Sequence, residues 1–134
     1  MRASRLALAL SFAALAACVP HRDLPPDQIK GLTKLSDVMD VQATIADPQM
    51  KKADQPSYSD ADWAAFADLG SRIQVTSTKI HDFSKGPEFD GLANQLNMQA
   101  SALSSAASAK DAAKASAALT GMKAVCKECH SKFK

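Results

Sequence analysis

The sequence predicts an all-α protein, an antiparallel four-helix bundle, and three observations lead there. Apolar residues recur at steps of three and four through four long segments, the period of a helix that buries one face. No stretch alternates as a strand would. From Gln99 to Thr120, 15 of 22 residues are Ala or Ser with no Gly or Pro among them, and Ala is the best helix former. Such a run also reads as low-complexity linker by composition; the unbroken Ala favours helix. Four amphipathic segments bury their stripes most simply against one another as antiparallel neighbours.

The chain of 134 residues is enough for one domain. Residues 1–17 read as a lipoprotein signal peptide, 18–26 as a lipidated tether and 27–134 as the bundle. Of the 16 Lys and Arg residues, two (Arg2 and Arg5) lie in the leader, leaving 14 basic against 14 acidic residues. With no block of like charge, this balance excludes a nucleic-acid partner. Past the leader the aromatics are Tyr58, Trp63, Phe66, Phe83, Phe89 and Phe133. A core so poor in large side chains suits a fold packed around a large flat cofactor, and equally a plain Ala-rich bundle.

The leader has a basic start and an apolar run from Leu6 to Ala17 broken by Ser11, a secretory pattern too short to span a membrane. It ends in Leu15-Ala16-Ala17-Cys18, which resembles the bacterial lipobox position by position. That resemblance implies cleavage before Cys18 and lipidation of its thiol. Several acyl chains give stable anchoring where one does not, so the expected location is the periplasm, held at a membrane. Val19 after the cysteine favours the outer membrane slightly.

The tether carries Pro20, Pro25 and Pro26. The first helix is expected to open at Pro26 or Asp27, where proline suits the first turn. Its stripe is Leu32, Leu35, Met39, Gln42 and Ala46, widened by Ile29, Val38 and Ile45, and Pro48 is expected to end it. Asp47 to Ser59 then reads as a loop, long for a bundle connection. The second helix begins with Ser59 as N-cap and Asp60 and Asp62 in the first turn, where the helix dipole favours negative charge. Trp63, Phe66, Gly70, Ile73, Ser77 and Ile80 form its stripe. Ser84 to Pro87 breaks the chain, and Pro87 opens the third helix, with Phe89, Leu92, Leu96, Gln99, Leu103 and Ala106 inward. The last turn falls near Ser108 to Asp111, where Ser-x-x-Asp reads as a capping box. The fourth helix carries Ala115, Leu119, Met122, Cys126, Cys129, His130 and Phe133 toward one side.

Those last positions include the strongest chemical signal. Cys126, Cys129 and His130 spell C-x-x-C-H, the pattern of covalent c-type haem attachment. Two thiols three apart share a helix face and can each add to a haem vinyl group, and the adjacent imidazole sits under the iron. A bare C-x-x-C is alternatively a redox dithiol or half of a zinc site. The abutting histidine, and the lack of a second cysteine pair, favour one covalent haem c. Such haem is attached outside the cytoplasm by a dedicated maturation machinery, in agreement with the leader.

A bundle with C-x-x-C-H at its C-terminal end resembles the class II c-type cytochromes, the group of cytochrome c′ and its low-spin relatives. The resemblance covers about Asp27 to Lys134. Asp60-Ala61-Asp62-Trp63 and Val38-Met39-Asp40 are further similarities of lower specificity. In this family the first helix supplies the residue over the distal haem face, and Met39 falls at that place. The resemblance therefore implies His130 and Met39 as iron ligands. The loop from Asp47 to Ser59 and the Ala/Ser content of the last two helices depart from the family's pattern, and bear on the pocket's shape and on any homodimer interface.

Met39 otherwise reads as core, since a methionine on an apolar stripe fills space. Met50 and His81 are rival ligands, Met98 and Met122 read as pocket wall or core, and His21 is expected to be solvated. Lys123, Lys127 and Lys134 share a face of the last helix, either solvated or set to dock an acidic redox partner. No paired carboxylates and no Ser/His/Asp arrangement carry hydrolysis. The leading expectation is an electron carrier rather than an enzyme, passing single electrons between periplasmic or membrane redox proteins. The alternative is a module binding nitric oxide or carbon monoxide at an open or displaceable distal site. A third is a haem-free lipoprotein with a redox thiol pair.

Overall fold

The computed structural model describes residues 23–134. The leader, Cys18 and His21 lie outside the described residues. Helix α1 spans Pro26–Lys30, α2 Leu35–Met50, α3 Asp60–Ile80, α4 Pro87–Ala109 and α5 Ala112–Phe133, with one 3-10 turn at His81–Phe83. Among the described residues there is no strand. The four long helices form the antiparallel bundle, in the cyclic order α2, α3, α4, α5. α3 packs most extensively on α4, and α4 on α5, whereas α2 and α5 meet only sparsely.

The first expected helix is two. Gly31 closes the short α1, and residues 31–34 separate it from α2. A glycine inside a helix costs about 1 kcal/mol relative to alanine, and the break still allows Ile29 and Leu32 to bury their side chains. Arg72 on α3 pairs with Asp23 and Asp68 and so ties the entry segment to the bundle. Pro48 does not end α2, which runs on to Met50. Proline removes one N–H and crowds the carbonyl four residues back, a loss that falls here on the last, solvent-exposed turn. Asp54, at φ 67°, turns the chain away.

The connection after α2 is therefore shorter than expected and well tied. Tyr58 Oη donates to the Lys52 carbonyl at 3.0 Å, and Asp54 N donates to Ser116 Oγ at 2.9 Å. Ser59 caps α3 with a reciprocal box: Asp62 N donates to Ser59 Oγ at 3.2 Å and Ser59 N to Asp62 Oδ2 at 2.9 Å. Tyr58, Trp63 and Phe66 stack edge to face beneath it.

Gly86, at φ 113°, precedes Pro87 at the start of α4. The α4–α5 turn lies where expected, but its cap does not. Ser108 is still helical and donates to the Ser104 carbonyl, while Asp111 caps α5 by accepting from Lys114 N at 3.0 Å. Lys110 takes the left-handed conformation that closes α4.

The Ala/Ser run is core, not linker: Ala100, Ala106, Ala107, Ala115 and Ala118 are buried. Small residues bring α3 and α4 together. A Cβ on Gly70 would lie 2.8 Å from the Ala100 carbonyl oxygen. Asn97 crosses the same seam, donating to Ser77 Oγ at 2.9 Å and to the Gln74 carbonyl at 3.2 Å.

Candidate functional site

A cleft of about 460 Å³ opens where α2 and α5 fail to close on one another, within the range of cofactor pockets. Met39, Gln42, Ala46 and Met50 line it from α2, and Val125, Cys126, Cys129 and His130 from α5. Ile73 and Ile80 of α3 and Phe89, Leu92 and Leu96 of α4 make its floor. Each of these floor residues belongs to a three-four stripe, so the periodicity that builds the core also paves the site.

The residues singled out by the sequence thus meet. Cys126 and Cys129, one turn apart on α5, face the same space as His130. Met39, half-buried, looks into that space from α2. Among the rivals, Met50 also lines the cleft, whereas His81 does not. His81 caps α3 and lies against α4, its Nε2 3.1 Å from Asn94 Oδ1 and its Nδ1 3.4 Å from Asp90 Oδ1. Met122 is fully buried core. Met98, expected as pocket wall or core, is 62 % exposed, because it falls between the inward positions Leu96 and Ala100 of α4. Of the three lysines on one face, Lys123 and Lys127 reach the rim of the cleft and Lys134 does not.

The local chemistry suits attachment better than thiolate reactivity. The Cys126 thiol is pushed up to about 11, first by burial and then by the neighbouring Cys129 and Asp47. Burial likewise raises Cys129. Redox-active C-x-x-C pairs work through a lowered thiol pKa, which this environment opposes. A structural zinc site needs four protein ligands, and among the described residues no group of three or more His, Cys, Asp or Glu is placed to hold a metal ion. A haem brings its own four nitrogens and needs from the chain thiols for its vinyl groups, an imidazole and an apolar slot. All three are present in one cleft, so the residues fit the group.

A family model described as Cytochrome C′ matches residues 30–134. The chain belongs to the cytochrome c′ family. Family membership makes it a c-type haem protein and implies covalently bound haem c. No curated protein and no solved structure matches the chain.

Two features of this cytochrome c′ site were not legible as such. Gln42 Nε2 donates to Thr76 Oγ1 at 2.8 Å, a buried bond that fixes the α2 wall to α3. Gln42 stood on the predicted stripe, but nothing local indicated its partner. Asp47 and Lys51 join the rim. Once α2 is continued past Pro48, Lys51 lies one turn beyond Asp47, and ending the helix at Pro48 concealed it.

Proposed function

We propose that this family member is a monohaem electron carrier, lipid-anchored at Cys18 in the periplasm, with the haem joined to Cys126 and Cys129. In this reading His130 is the proximal iron ligand and Met39 the distal one. The observation that carries it is the pairing of Met39 and His130 across one cleft, from two helices that otherwise scarcely touch.

When bound, the haem supplies a one-electron couple, whose potential axial ligation and burial tune. The chain's residues do the rest. Cys126 and Cys129 fix the group covalently. Ile73, Ile80, Phe89, Leu92 and Leu96 keep water from its buried face. The bond from Gln42 to Thr76 holds α2, and with it Met39, against α3. A ligand pair fixed in advance reduces rearrangement when the charge changes, which suits electron transfer.

Optical spectra of the purified protein in both redox states test the reading. The expected result is a low-spin ferric form with the weak far-red band of a sulfur-ligated haem. A high-spin ferric form that binds carbon monoxide or nitric oxide readily would replace electron transfer with gas binding. The sparse α2–α5 seam favours that second reading, since the space between the two helices leaves room beside Met39 for a diatomic ligand. For the anchor, the support is the lipobox-like Leu15-Ala16-Ala17-Cys18. Wild type should enter the detergent phase on partitioning and Cys18→Ala the aqueous phase; equal aqueous partitioning removes the anchor.

A further inference from the structure

Charge is distributed unevenly around the cleft. Lys52, Lys79, Lys110, Lys114 and Lys132 each have a carboxylate partner. Lys51, Lys123 and Lys127 have none among the described residues, and neither do Lys30, Lys34, Lys85 and Lys134; but Lys51, Lys123 and Lys127 are exposed and line this cleft together, from the end of α2 and from α5. Asp47 is the single carboxylate on that rim, and α3 and α4 contribute only uncharged side chains to the cleft.

We infer that Lys51, Lys123 and Lys127 hold the two carboxylates of a bound haem at the mouth of the cleft, an inference that rests on the haem reading above. The macrocycle is apolar, but its carboxylates cannot enter a floor of Ile, Leu and Phe without losing their hydration. They must stay at the rim, where three ammonium groups without carboxylate partners stand. A helix-dipole role accounts for Lys51 alone, at the C-cap of α2. Lys123 and Lys127 lie before the last turn of α5, whose basic residues are His130 and Lys132. Being four apart, they repel each other along the helix. An anion held among them and Lys51 would remove that repulsion.

The test compares purified wild type, the triple variant Lys51→Gln/Lys123→Gln/Lys127→Gln, its triple Arg counterpart, and a control, Lys30→Gln/Lys34→Gln, in lysines outside the cleft. Haem content by pyridine haemochrome comes first. Wild type without haem overturns the haem reading itself, and the inference with it. With haem in all four proteins, the midpoint potential is followed over about pH 4 to 8, which spans the ordinary carboxylate range and values raised above it. Wild type should be nearly flat. The Gln triple variant should have a lower potential at neutral pH. It should gain a segment in which potential falls as pH rises through a carboxylate pKa raised by about one unit or more. The Arg triple variant should behave as wild type and the control should not shift. A Gln variant with full haem and an unchanged curve, or one that moves no more than the control, overturns the inference alone. So does an unchanged curve together with lost salt-sensitive retention on immobilised polyglutamate, which would assign the lysines to an acidic docking partner.

Discussion

Two seams of the same bundle differ more than their sequences suggest. Along α3–α4, Gly70 admits the Ala100 carbonyl, Asn97 bridges the helices, and apolar and small residues fill the interface. Along α2–α5 the helices barely touch, and between them lies the cleft lined by both cysteines. Both seams are built from three-four stripes. The closed seam has small residues on its facing positions, so backbones approach and no room remains. The open seam has long, unbranched side chains at its edges, Met39 and Met50 among them, facing Cys126 and Cys129 across the cleft. The α2 helix is therefore held less by α5 than by α3, through the Gln42–Thr76 bond and the Lys52–Asp62 pair at 2.7 Å. One side of the bundle is finished by its own chain; the other needs a ligand to complete its core.

The largest expected effect comes from denying the open seam that ligand. Cys126→Ala with Cys129→Ala should remove covalent haem, leaving a cavity too large for the surrounding side chains to fill. The apoprotein should keep much of its helical far-ultraviolet signal while losing near-ultraviolet ellipticity and a sharp thermal transition. Sharp, cooperative unfolding of this variant would mean that α2 and α5 close by themselves, and the contrast between the seams would fail.

The closed seam breaks differently. Gly70→Val places carbon against the Ala100 carbonyl, which belongs to rigid helix backbone, and should destabilise the holoprotein by about 1–3 kcal/mol in urea titration. Whatever remains folded should keep the wild-type haem spectrum, because the insult lies away from the cleft. A Gly70→Val protein with altered haem absorption would show the seams to be mechanically coupled.

Met39→Leu probes the open seam gently. It nearly conserves volume, so the loss of stability should stay below about 1.5 kcal/mol. The spectrum should nonetheless become high-spin, with a lower potential and greater affinity for carbon monoxide. An unchanged low-spin spectrum would make Met39 a wall residue and turn attention to Met50, the other sulfur in the cleft.

The smallest effect concerns the tie at the base of α2. The Lys52 ammonium, and then the Ser59 N–H and hydroxyl, hold the Asp62 carboxyl down at about 2, below its usual 3.8. The folded state therefore binds this proton more weakly than the unfolded chain. The ionised group stabilises the fold above the unfolded value, and the contribution is lost as pH falls toward about 2. Asp62→Asn should flatten the acid dependence by slightly lowering thermal stability at neutral pH, with little change near pH 2, where the wild-type carboxyl is already losing its charge. An identical acid profile in the variant would remove Asp62 from the account of how α2 is held.

Much of the fold was legible from the chain. The stripes of α3 and α4 name residues that are buried almost without exception, Ser59 is the predicted cap, and the Ala-rich run is helix. Cap residues, periodicity and proline act within a few neighbours, and sequence reading captures such effects well. The misreadings were local competitions decided elsewhere. Gly31 splits a helix because both flanking apolar residues can still reach the core. Pro48 remains helical because its lost hydrogen bond falls on an exposed last turn. Asp111 takes the cap that Ser108 seemed suited to, because α4 runs on through Ser108 before it closes.

By itself the sequence determined the helical class, the family's attachment motif and its place at the end of the last helix. Only the tertiary structure decided that α2 and α5 form the open seam, that Met50, Asp47 and Lys51 share the cleft with Met39, and that His81 is engaged by α4 instead. The reason is physical. A stripe states which face of a helix must be buried. Which two helices close and which leave a gap depends on side-chain volumes summed across partners far apart in the chain, and that sum exists only once the helices are packed.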